Sequence, residues 1–147
     1  MAALDFDTVR TLVAANNRSP ILSNELIICL IWKESGFDPA VKNAVSSAIG
    51  LMQITHAAVA DVNANTPKGT HYSYSQMSDP AQNIQCGTYY LSLRIKRAGS
   101  DVAKGIERFG TGSGYAENLL AAEACMKRQQ PPSSADQLKP CLFAIHP

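Results

Sequence analysis

The sequence predicts a mostly α-helical domain, with at most a small β-hairpin near residues 69–77. Apolar residues recur at spacings of three and four in successive segments, which is the helical period. Helix start and stop residues separate these segments. No stretch alternates apolar and polar residues with the β-branched enrichment typical of strands. At 147 residues, the chain is expected to form one domain over 1–147.

The first helix is predicted at about 5–16, because the apolar residues from Phe6 to Val13 follow helical spacing and two asparagines come next. A second helix is expected to begin near Pro20, since proline suits a first helical turn. Its apolar face is broad and ends at Glu34, just before a serine and a glycine. This helix should be mostly buried, with Glu34 at its C-terminal end.

The same spacing continues along the rest of the chain. Helices are predicted at about 55–62, 79–98, 101–109 and 115–128. Asp79-Pro80 is a typical helix start, with an aspartate cap followed by proline at the first position. The tail 129–147 includes a Pro/Ser segment at 131–134 that cannot be helical through its prolines. The last helix predicted before this tail therefore ends near residue 128.

Composition and charge exclude several classes of protein. Hydrophobic residues make up 46% of the chain and charged residues only 17%, so extensive disorder is not expected. The net charge of +1 gives no strong field for nucleic acid, and we expect no nucleic-acid partner. The longest apolar run, 26–32, is too short to span a membrane. The first seven residues hold two acids and no basic region, so no signal peptide is visible.

The four cysteines are compatible with two disulfides and equally with four buried thiols. Their spacing matches no zinc-binding pattern. Cys125 and Cys141 bracket the Pro/Ser segment, and a disulfide between them would hold the tail against the domain. For a loop of this length it would contribute roughly 3 kcal/mol. Cys29 and Cys86 are the second candidate pair.

Glu34 is the residue whose position most suggests chemistry. A carboxylate on the last turn of an apolar helix is partly desolvated, and the negative end of the helix dipole also disfavours its ionised form. Both effects raise its pKa and suit it to general acid catalysis near neutral pH. The alternative is that Glu34 is simply the polar end of a buried helix.

Three motifs in order resemble the signature of the soluble lytic transglycosylase family, relatives of goose-type lysozyme. They are Glu-Ser-Gly-Phe-Asp-Pro at 34–39, Ser-Ser-Ala-Ile-Gly-Leu-Met-Gln-Ile at 46–54, and Asp-Pro-Ala-Gln-Asn-Ile-Gln-Cys-Gly-Thr-Tyr-Tyr-Leu at 79–91. With flanking helices the resemblance covers about 20–128. It implies a lysozyme-like helical fold that cleaves the β-1,4 bond between N-acetylmuramic acid and N-acetylglucosamine in peptidoglycan, with no cofactor and no metal.

The resemblance implies that Glu34 is the catalytic acid/base and that the muramoyl O6 hydroxyl attacks C1, giving a 1,6-anhydro product. Such substrate-assisted chemistry needs no second carboxylate. The candidates for a second carboxylate are Asp38 and Asp61. We interpret Asp38 as a turn residue and Asp61 as part of a solvated helix face. Goose-type hydrolases tend to carry an acid where this chain has Thr55. This favours a transglycosylase, with a hydrolytic muramidase as the alternative.

The resemblance also suggests residues around Glu34. Expected substrate contacts are Gln53, Met52, Thr55, Ser35, Phe109 and Tyr115. Expected structural positions are Gly50, Asn83 and Gly87. Met52 could equally fill the core, and Ser35 could equally bond to the backbone.

The clearest departure from the family lies downstream. The family commonly has Ala-Tyr-Asn-x-Gly, whereas this chain has Phe109 at the Tyr position and Gly110 at the Asn position. Phe109 keeps an aromatic ring but loses the hydroxyl that would face Glu34. Tyr115 could return a hydroxyl to the cleft, although it could also be an ordinary helix start. The departure leaves open a third function, an inactive glycan-binding or assembly module.

Partners and location follow from the implied substrate. We expect a monomer acting on peptidoglycan glycan strands, in the periplasm or after secretion, where disulfides persist. A removed leader, an effector or a phage-type enzyme would each fit, and a protein inhibitor or immunity partner is left open. His56, His71 and His146 form no metal-binding pattern, so we interpret them as surface or supporting residues.

Overall fold

The computed structural model describes residues 3–67, 70–109, 115–129 and 135–143. Seven α-helices occupy most of these residues. They are α1 (Phe6–Asn16), α2 (Asn24–Ser35), α3 (His56–Asn65), α4 (Pro80–Arg97), α5 (Val102–Phe109), α6 (Tyr115–Arg128) and α7 (Ala135–Phe143). No strand or sheet occurs in these ranges, apart from two isolated bridges that join Ile49 to Lys42 and to Ile54. The prediction of a mostly helical domain is confirmed.

α2 is the central helix of the core. Its residues from Leu26 to Ile31 are all buried, and it packs against α1 and α6. α4 packs against α1, α3 and α5, so it joins α3 and α5 to this centre. The breadth of the apolar face on α2, visible in the sequence, follows from burial on several sides.

α2 begins at Asn24 rather than near Pro20, so the predicted start was wrong. The Ser23 hydroxyl caps the helix by accepting a hydrogen bond from the Leu26 N–H at 3.1 Å. Before it, the Asn17 side chain donates to the Leu22 carbonyl at 3.0 Å and holds residues 17–23 as a turn. A side-chain cap satisfies a free N–H at the helix start, which proline does not do, and it fixes the boundary here.

The hairpin allowed for near 69–77 does not form in the described part, 70–77. A short 3-10 turn, Tyr74–Gln76, lies there instead. The Asn63 side chain donates to the Tyr72 carbonyl at 2.8 Å and accepts from the Tyr72 N–H at 2.9 Å. These bonds satisfy the backbone groups that a partner strand would otherwise pair.

The C-terminal tail contains a helix that the sequence analysis missed. The prolines at 131 and 132 led us to expect no helix in the tail, but α7 begins after them and runs through Pro140. Leu138 and Leu142 are buried, and α7 packs against α6 and α1. Their i, i+4 spacing was the available signal. Residues 130–134, including the Pro/Ser segment, lie outside the described residues.

The structure contains the disulfide expected between Cys125 and Cys141, with 5.6 Å between the Cα atoms. It joins α6 to α7. Cys29 and Cys86 are free and buried, so the second candidate pair was wrong. Burial raises the pKa of each thiol to about 12, and Cys29 lies 3.4 Å from the Met126 sulfur. Both behave as small apolar core residues.

Candidate active site

Glu34 lies one residue before the C-terminus of α2, at the end of the buried helix. The helix stops because Gly36 adopts a left-handed conformation (φ 59°) and its N–H donates to the Trp32 carbonyl at 2.9 Å. Glycine is the usual residue for this termination. The Glu34 side chain is partly buried. The sequence placed it correctly because the boundary signal is local.

Phe37 continues the left-handed turn, with φ at 69°, which is unusual for a bulky residue. Its buried ring packs edge-on against Trp32, with 5.0 Å between ring centroids, and lies 6.3 Å from Phe6. Its carbonyl accepts a hydrogen bond from the Leu4 N–H at 2.8 Å. These contacts hold the backbone just after Glu34 in a conformation that costs about 1–2 kcal/mol. No pattern in the sequence indicated this conformation.

Tyr115, the first residue of α6, brings a hydroxyl to Glu34. The side chain is buried, and its oxygen has no hydrogen-bond partner of standard length and angle among the described residues. The phenol and the Glu34 carboxylate still influence each other. Burial, followed by the charge of Glu34, raises the pKa of Tyr115 well above its usual range. The hydroxyl therefore lies beside Glu34, close enough to affect its ionisation.

The pKa of Glu34 is raised from 4.5 to about 7, chiefly because burial penalises the charged carboxylate. The positive charge of Lys33 and the interaction with Tyr115 oppose this rise. A carboxyl group with a pKa near neutrality holds its proton for part of the time at pH 7. It can therefore donate a proton and later accept one.

The loop that precedes α3 forms a tight turn. Ile49 and Ile54 exchange two backbone hydrogen bonds at 3.1 and 2.9 Å. Gln53 has a positive φ of 54°, and its side-chain NH2 donates to the carbonyls of Val41 and Gly50 at 3.1 and 3.0 Å. The Gln53 donor group thus braces the loop. Its side-chain oxygen takes no part in these two bonds.

Asn83 on α4 fastens this loop to the helical core. It is fully buried, accepts from the Met52 N–H at 2.8 Å, and donates to the carbonyls of Ile49 and Met77 at 3.0 and 2.8 Å. Gly50 lies directly against it. A Cβ at position 50 would be 2.3 Å from the Asn83 nitrogen, and φ is +82°. Gly50 therefore leaves the space that Asn83 needs to hold the loop.

Like Tyr115, two further residues expected to contact substrate are buried. Met52 is fully buried and packs on Gly87, where a Cβ would lie 2.4 Å from its sulfur. Ser35 is buried and its hydroxyl donates to the Ile31 carbonyl at 3.0 Å, within its own helix. Close packing of the loop and helix leaves the Met52 side chain no exposed surface and Ser35 very little, which argues against substrate contact by either. Met52 fills the core and Ser35 bonds to the backbone, which are the alternatives given for them above.

Thr55 and Phe109 are partly exposed. The Thr55 hydroxyl caps α3 by accepting from the Ala58 N–H at 3.1 Å. Phe109 ends α5, and its ring lies 5.8 Å from the Tyr90 ring. Gly110, the other departure from the family motif, lies outside the described residues. Contact of Thr55 or Phe109 with a glycan stays a prediction.

Both candidates for a second carboxylate already form hydrogen bonds within the protein. Asp38 accepts a hydrogen bond from the Ala40 N–H at 2.9 Å, as a turn residue does. Asp61 on α3 pairs with Arg97 on α4 through two bonds of 2.5 and 2.8 Å, which lower the pKa of Asp61. Asp61 thus joins two helices in a bidentate ion pair.

The histidines provide no metal site in the described parts of the chain, and no other cluster of metal-binding side chains occurs there. His56 is exposed and stacks on Tyr74, with ring centroids 3.6 Å apart. His71 is exposed in a loop, and His146 lies outside the described residues. None of the described helices has the length and apolarity needed to cross a bilayer.

Two curated relatives are both named membrane-bound lytic murein transglycosylase C. The proteins from Yersinia enterocolitica and Pectobacterium atrosepticum are each 40% identical over 73 residues, or 49% of this chain. The matched segment is only 20% of each relative. This chain therefore corresponds to about a fifth of the length of these proteins.

Two solved structures share the fold. The 70-kDa soluble lytic transglycosylase in complex with bulgecin A matches with a TM-score of 0.60 and 22% identity, over 90% of this chain and 20% of that one. The 70-kDa soluble lytic transglycosylase of Escherichia coli matches with a TM-score of 0.59 and 21% identity, over 96% and 23%. At this identity the match establishes the lysozyme-like helical fold.

One protein-family sequence model matches most of the described core. The transglycosylase SLT domain matches residues 11–128, which include the Glu34 helix, the Gln53 loop and the helix that carries Asn83. These are the elements whose geometry forms the site. The chain belongs to the transglycosylase SLT domain family.

Proposed function

We propose that this chain is a peptidoglycan lytic transglycosylase that uses Glu34 as its single acid/base. The observation that carries the proposal is the Glu34 carboxyl at the end of the buried helix α2, with its pKa raised to about 7 by burial. The family and the names of the relatives support murein as the substrate. The Cys125–Cys141 disulfide supports action in an oxidising compartment, as in the periplasm or after secretion.

In the proposed first step, protonated Glu34 donates its proton to the oxygen of the bond between N-acetylmuramic acid and N-acetylglucosamine. The C1–O bond breaks as this proton is transferred. The O6 hydroxyl of the same muramoyl residue attacks C1, and the Glu34 carboxylate accepts the hydroxyl proton. Glu34 is protonated again at the end of the reaction. No water is consumed, and the product carries a 1,6-anhydromuramoyl end.

The two aspartates support a mechanism with one carboxylate. Most retaining and inverting glycosidases use a second carboxylate beside the acid. Asp38 is bonded in its own turn, and Asp61 is paired with Arg97. An attacking hydroxyl from the substrate makes a second carboxylate unnecessary.

Gln53 and Phe109 are the proposed glycan contacts. The Gln53 NH2 is held by two backbone carbonyls, so the side-chain oxygen keeps a defined direction and could accept from an N-acetyl N–H. The partly exposed Phe109 ring offers an apolar face for a sugar. Thr55 could add a hydroxyl donor. Tyr115 is buried, and we assign it to Glu34 rather than to the glycan.

Digestion of purified murein followed by mass spectrometry tests the proposal. We expect muropeptides with anhydro ends, each one water lighter than the hydrolytic product. Reducing ends would instead identify a hydrolytic muramidase, and intact sacculi would identify an inactive glycan-binding module. Glu34→Gln should lower the rate by at least about a hundredfold. The control Glu117→Gln removes an exposed carboxylate from α6 and should digest at the unchanged rate.

A further inference from the structure

A pocket of about 370 Å³ opens on the surface. It lies where the end of α1, the loop before the 3-10 turn, and α4 meet. Its lining includes Arg18, His71, Tyr72, Gln82, Gln85 and Tyr89. None of the residues assigned to the Glu34 site lines it. Its volume is within the range of small-ligand sites.

The pocket and the Glu34 site use different faces of α4. Gln82, Gln85 and Tyr89 are spaced by three and four residues and share one face. Asn83 and Gly87 hold the Gln53 loop. Asn83 comes one position after Gln82, and Gly87 comes two positions before Tyr89. One helical position corresponds to about 100° of rotation, so the two faces point in well-separated directions.

The chemistry of the pocket is polar and positively charged. Arg18 is exposed, and one of its five donors binds the Ala15 carbonyl at 3.2 Å. None of the described residues that line the pocket is acidic. Amide groups of Gln82 and Gln85 add hydrogen-bonding capacity beside the guanidinium. A charged donor with neutral polar neighbours and no competing carboxylate suits an anionic ligand.

The aromatic wall is held in place by a chain of hydrogen bonds. The Tyr72 hydroxyl donates to the Gln85 side-chain oxygen at 3.1 Å, and the Gln85 NH2 donates to Asn16 at 2.8 Å. Asn63 fixes the Tyr72 backbone through two further bonds. The Tyr89 ring lies 6.3 Å from the Tyr72 ring. Such a connected network limits motion of the wall before any ligand binds.

The backbone beside Arg18 is also fixed. Its N–H donates to the Thr88 hydroxyl on α4 at 2.9 Å, and the Ser92 hydroxyl donates to Ser19 at 2.8 Å. The charge of Arg18 reaches the wall as well. It opposes the rise in the pKa of Tyr72 that burial causes. The Arg18 backbone is therefore anchored, and its guanidinium lies close enough to Tyr72 to influence that side chain.

We propose that this pocket binds a carboxylate-bearing peptide, with Arg18 pairing with the carboxylate and Tyr72 and Tyr89 contacting the chain beside it. The proposal deepens the proposed function, because murein glycan strands carry peptides that bear free carboxylates. A contact outside the Glu34 site would favour strands that still carry their peptides. Arg18 would be a specificity-determining residue with no part in bond cleavage.

Binding is tested first without cleavage, in the Glu34→Gln variant. A soluble muropeptide with free carboxylates is titrated against isotope-labelled protein, and the side-chain N–H signals of Arg18, Gln82 and Gln85 are followed by NMR. We expect these signals to shift, and Arg18→Gln to weaken binding about tenfold or more, as for loss of a charge-assisted bond. Lys96→Gln removes a positive charge elsewhere on α4 and should change affinity less than twofold.

Two further probes can overturn the proposal. The same muropeptide with its carboxylates amidated should bind at least about tenfold more weakly. A disaccharide of two N-acetylglucosamine residues, which carries neither peptide nor carboxylate, should leave the pocket signals unmoved. Equal binding of the amidated form, equal shifts with the sugar alone, or unchanged affinity in Arg18→Gln would each contradict carboxylate recognition.

A kinetic experiment separates this proposal from the proposed function. Arg18→Gln in the otherwise unchanged chain should raise KM for peptide-bearing murein and leave kcat unchanged. With peptide-free glycan strands, both constants should equal those of the unchanged chain. Absence of cleavage on either substrate would contradict the proposed function, while the NMR titration would still test the pocket. A fall in kcat on both substrates would contradict the assignment of Arg18 as a specificity residue.

Discussion

The Tyr115 hydroxyl is buried beside the Glu34 carboxyl and forms no hydrogen bond of standard geometry with the described residues. Buried polar groups without partners are rare and costly. Here the unpaired hydroxyl is next to the group whose pKa burial raises to about 7. The family motif has a tyrosine at the position of Phe109, whereas this chain brings its phenol from the start of α6.

The raised pKa of Glu34 predicts a pH dependence of activity. The acid form donates the first proton, so the rate of murein cleavage should fall as the pH rises through about 7. Initial rates on purified murein across this range would measure the change. A rate that keeps rising well above pH 7 would contradict Glu34 as the proton donor.

The same pKa predicts a pH dependence of stability. Between 4.5 and about 7 the folded chain retains a proton that the unfolded chain releases, so the free energy of unfolding should fall as the pH rises through this window. Glu34→Gln removes the charge and should be more stable than the unchanged chain above the window, by on the order of 2 kcal/mol. Urea unfolding of both proteins at about pH 5 and about pH 8 gives the difference. It should nearly vanish at the lower pH.

Tyr115→Phe should raise the pKa of Glu34 further, because the Tyr115 interaction opposes the effect of burial. The alkaline limb of the pH–rate profile should therefore move to higher pH. Removing an unpaired buried hydroxyl should also leave stability unchanged or raise it by up to about 1 kcal/mol. Tyr90→Phe, which removes a hydroxyl elsewhere, is the control and should keep the original profile. A large loss of stability in Tyr115→Phe would show that its hydroxyl is paired.

Gly50→Ala should destabilise the chain far more than Gly99→Ala. Both glycines have positive φ, so each substitution carries a backbone cost of about 1 kcal/mol. A Cβ at position 50 would also lie 2.3 Å from the Asn83 nitrogen and 2.4 Å from the Met77 carbonyl oxygen, whereas position 99 has no atom within 4 Å. The added clash should cost roughly 2 kcal/mol more. Thermal and urea unfolding of both variants measure this, and equal losses would contradict the packing of the Gln53 loop on Asn83.

The Cys125–Cys141 disulfide predicts how many thiols react and how much the bridge contributes to the free energy of unfolding. The native chain should react slowly with a thiol reagent, because Cys29 and Cys86 are buried, and the denatured unreduced chain should show two thiols. Replacing Cys125 and Cys141 together by serine should lower the free energy of unfolding by about 3 kcal/mol. Non-reducing peptide mass analysis gives the pairing directly. Four reactive thiols in the denatured chain would contradict the bridge.

Several features could be predicted from the sequence because their causes are local. The apolar spacing, the Asp79 cap with Pro80, and the glycine after Glu34 set the helices and placed a carboxylate at the end of a buried one. The start of α2 was missed, since a serine cap and a proline compete within a few residues. α7 was missed because the prolines outweighed a short apolar pattern.

The tertiary structure alone decided what surrounds Glu34. Whether Met52 faces a glycan or the core depends on how closely Gly87 lets α4 approach, and sequence spacing does not give that distance. The left-handed Phe37 is stable only because Trp32 and distant Phe6 enclose its ring. The sequence determined that a carboxylate ends an apolar helix. Packing decided how far that carboxylate is removed from water, and desolvation by neighbouring helices sets its pKa.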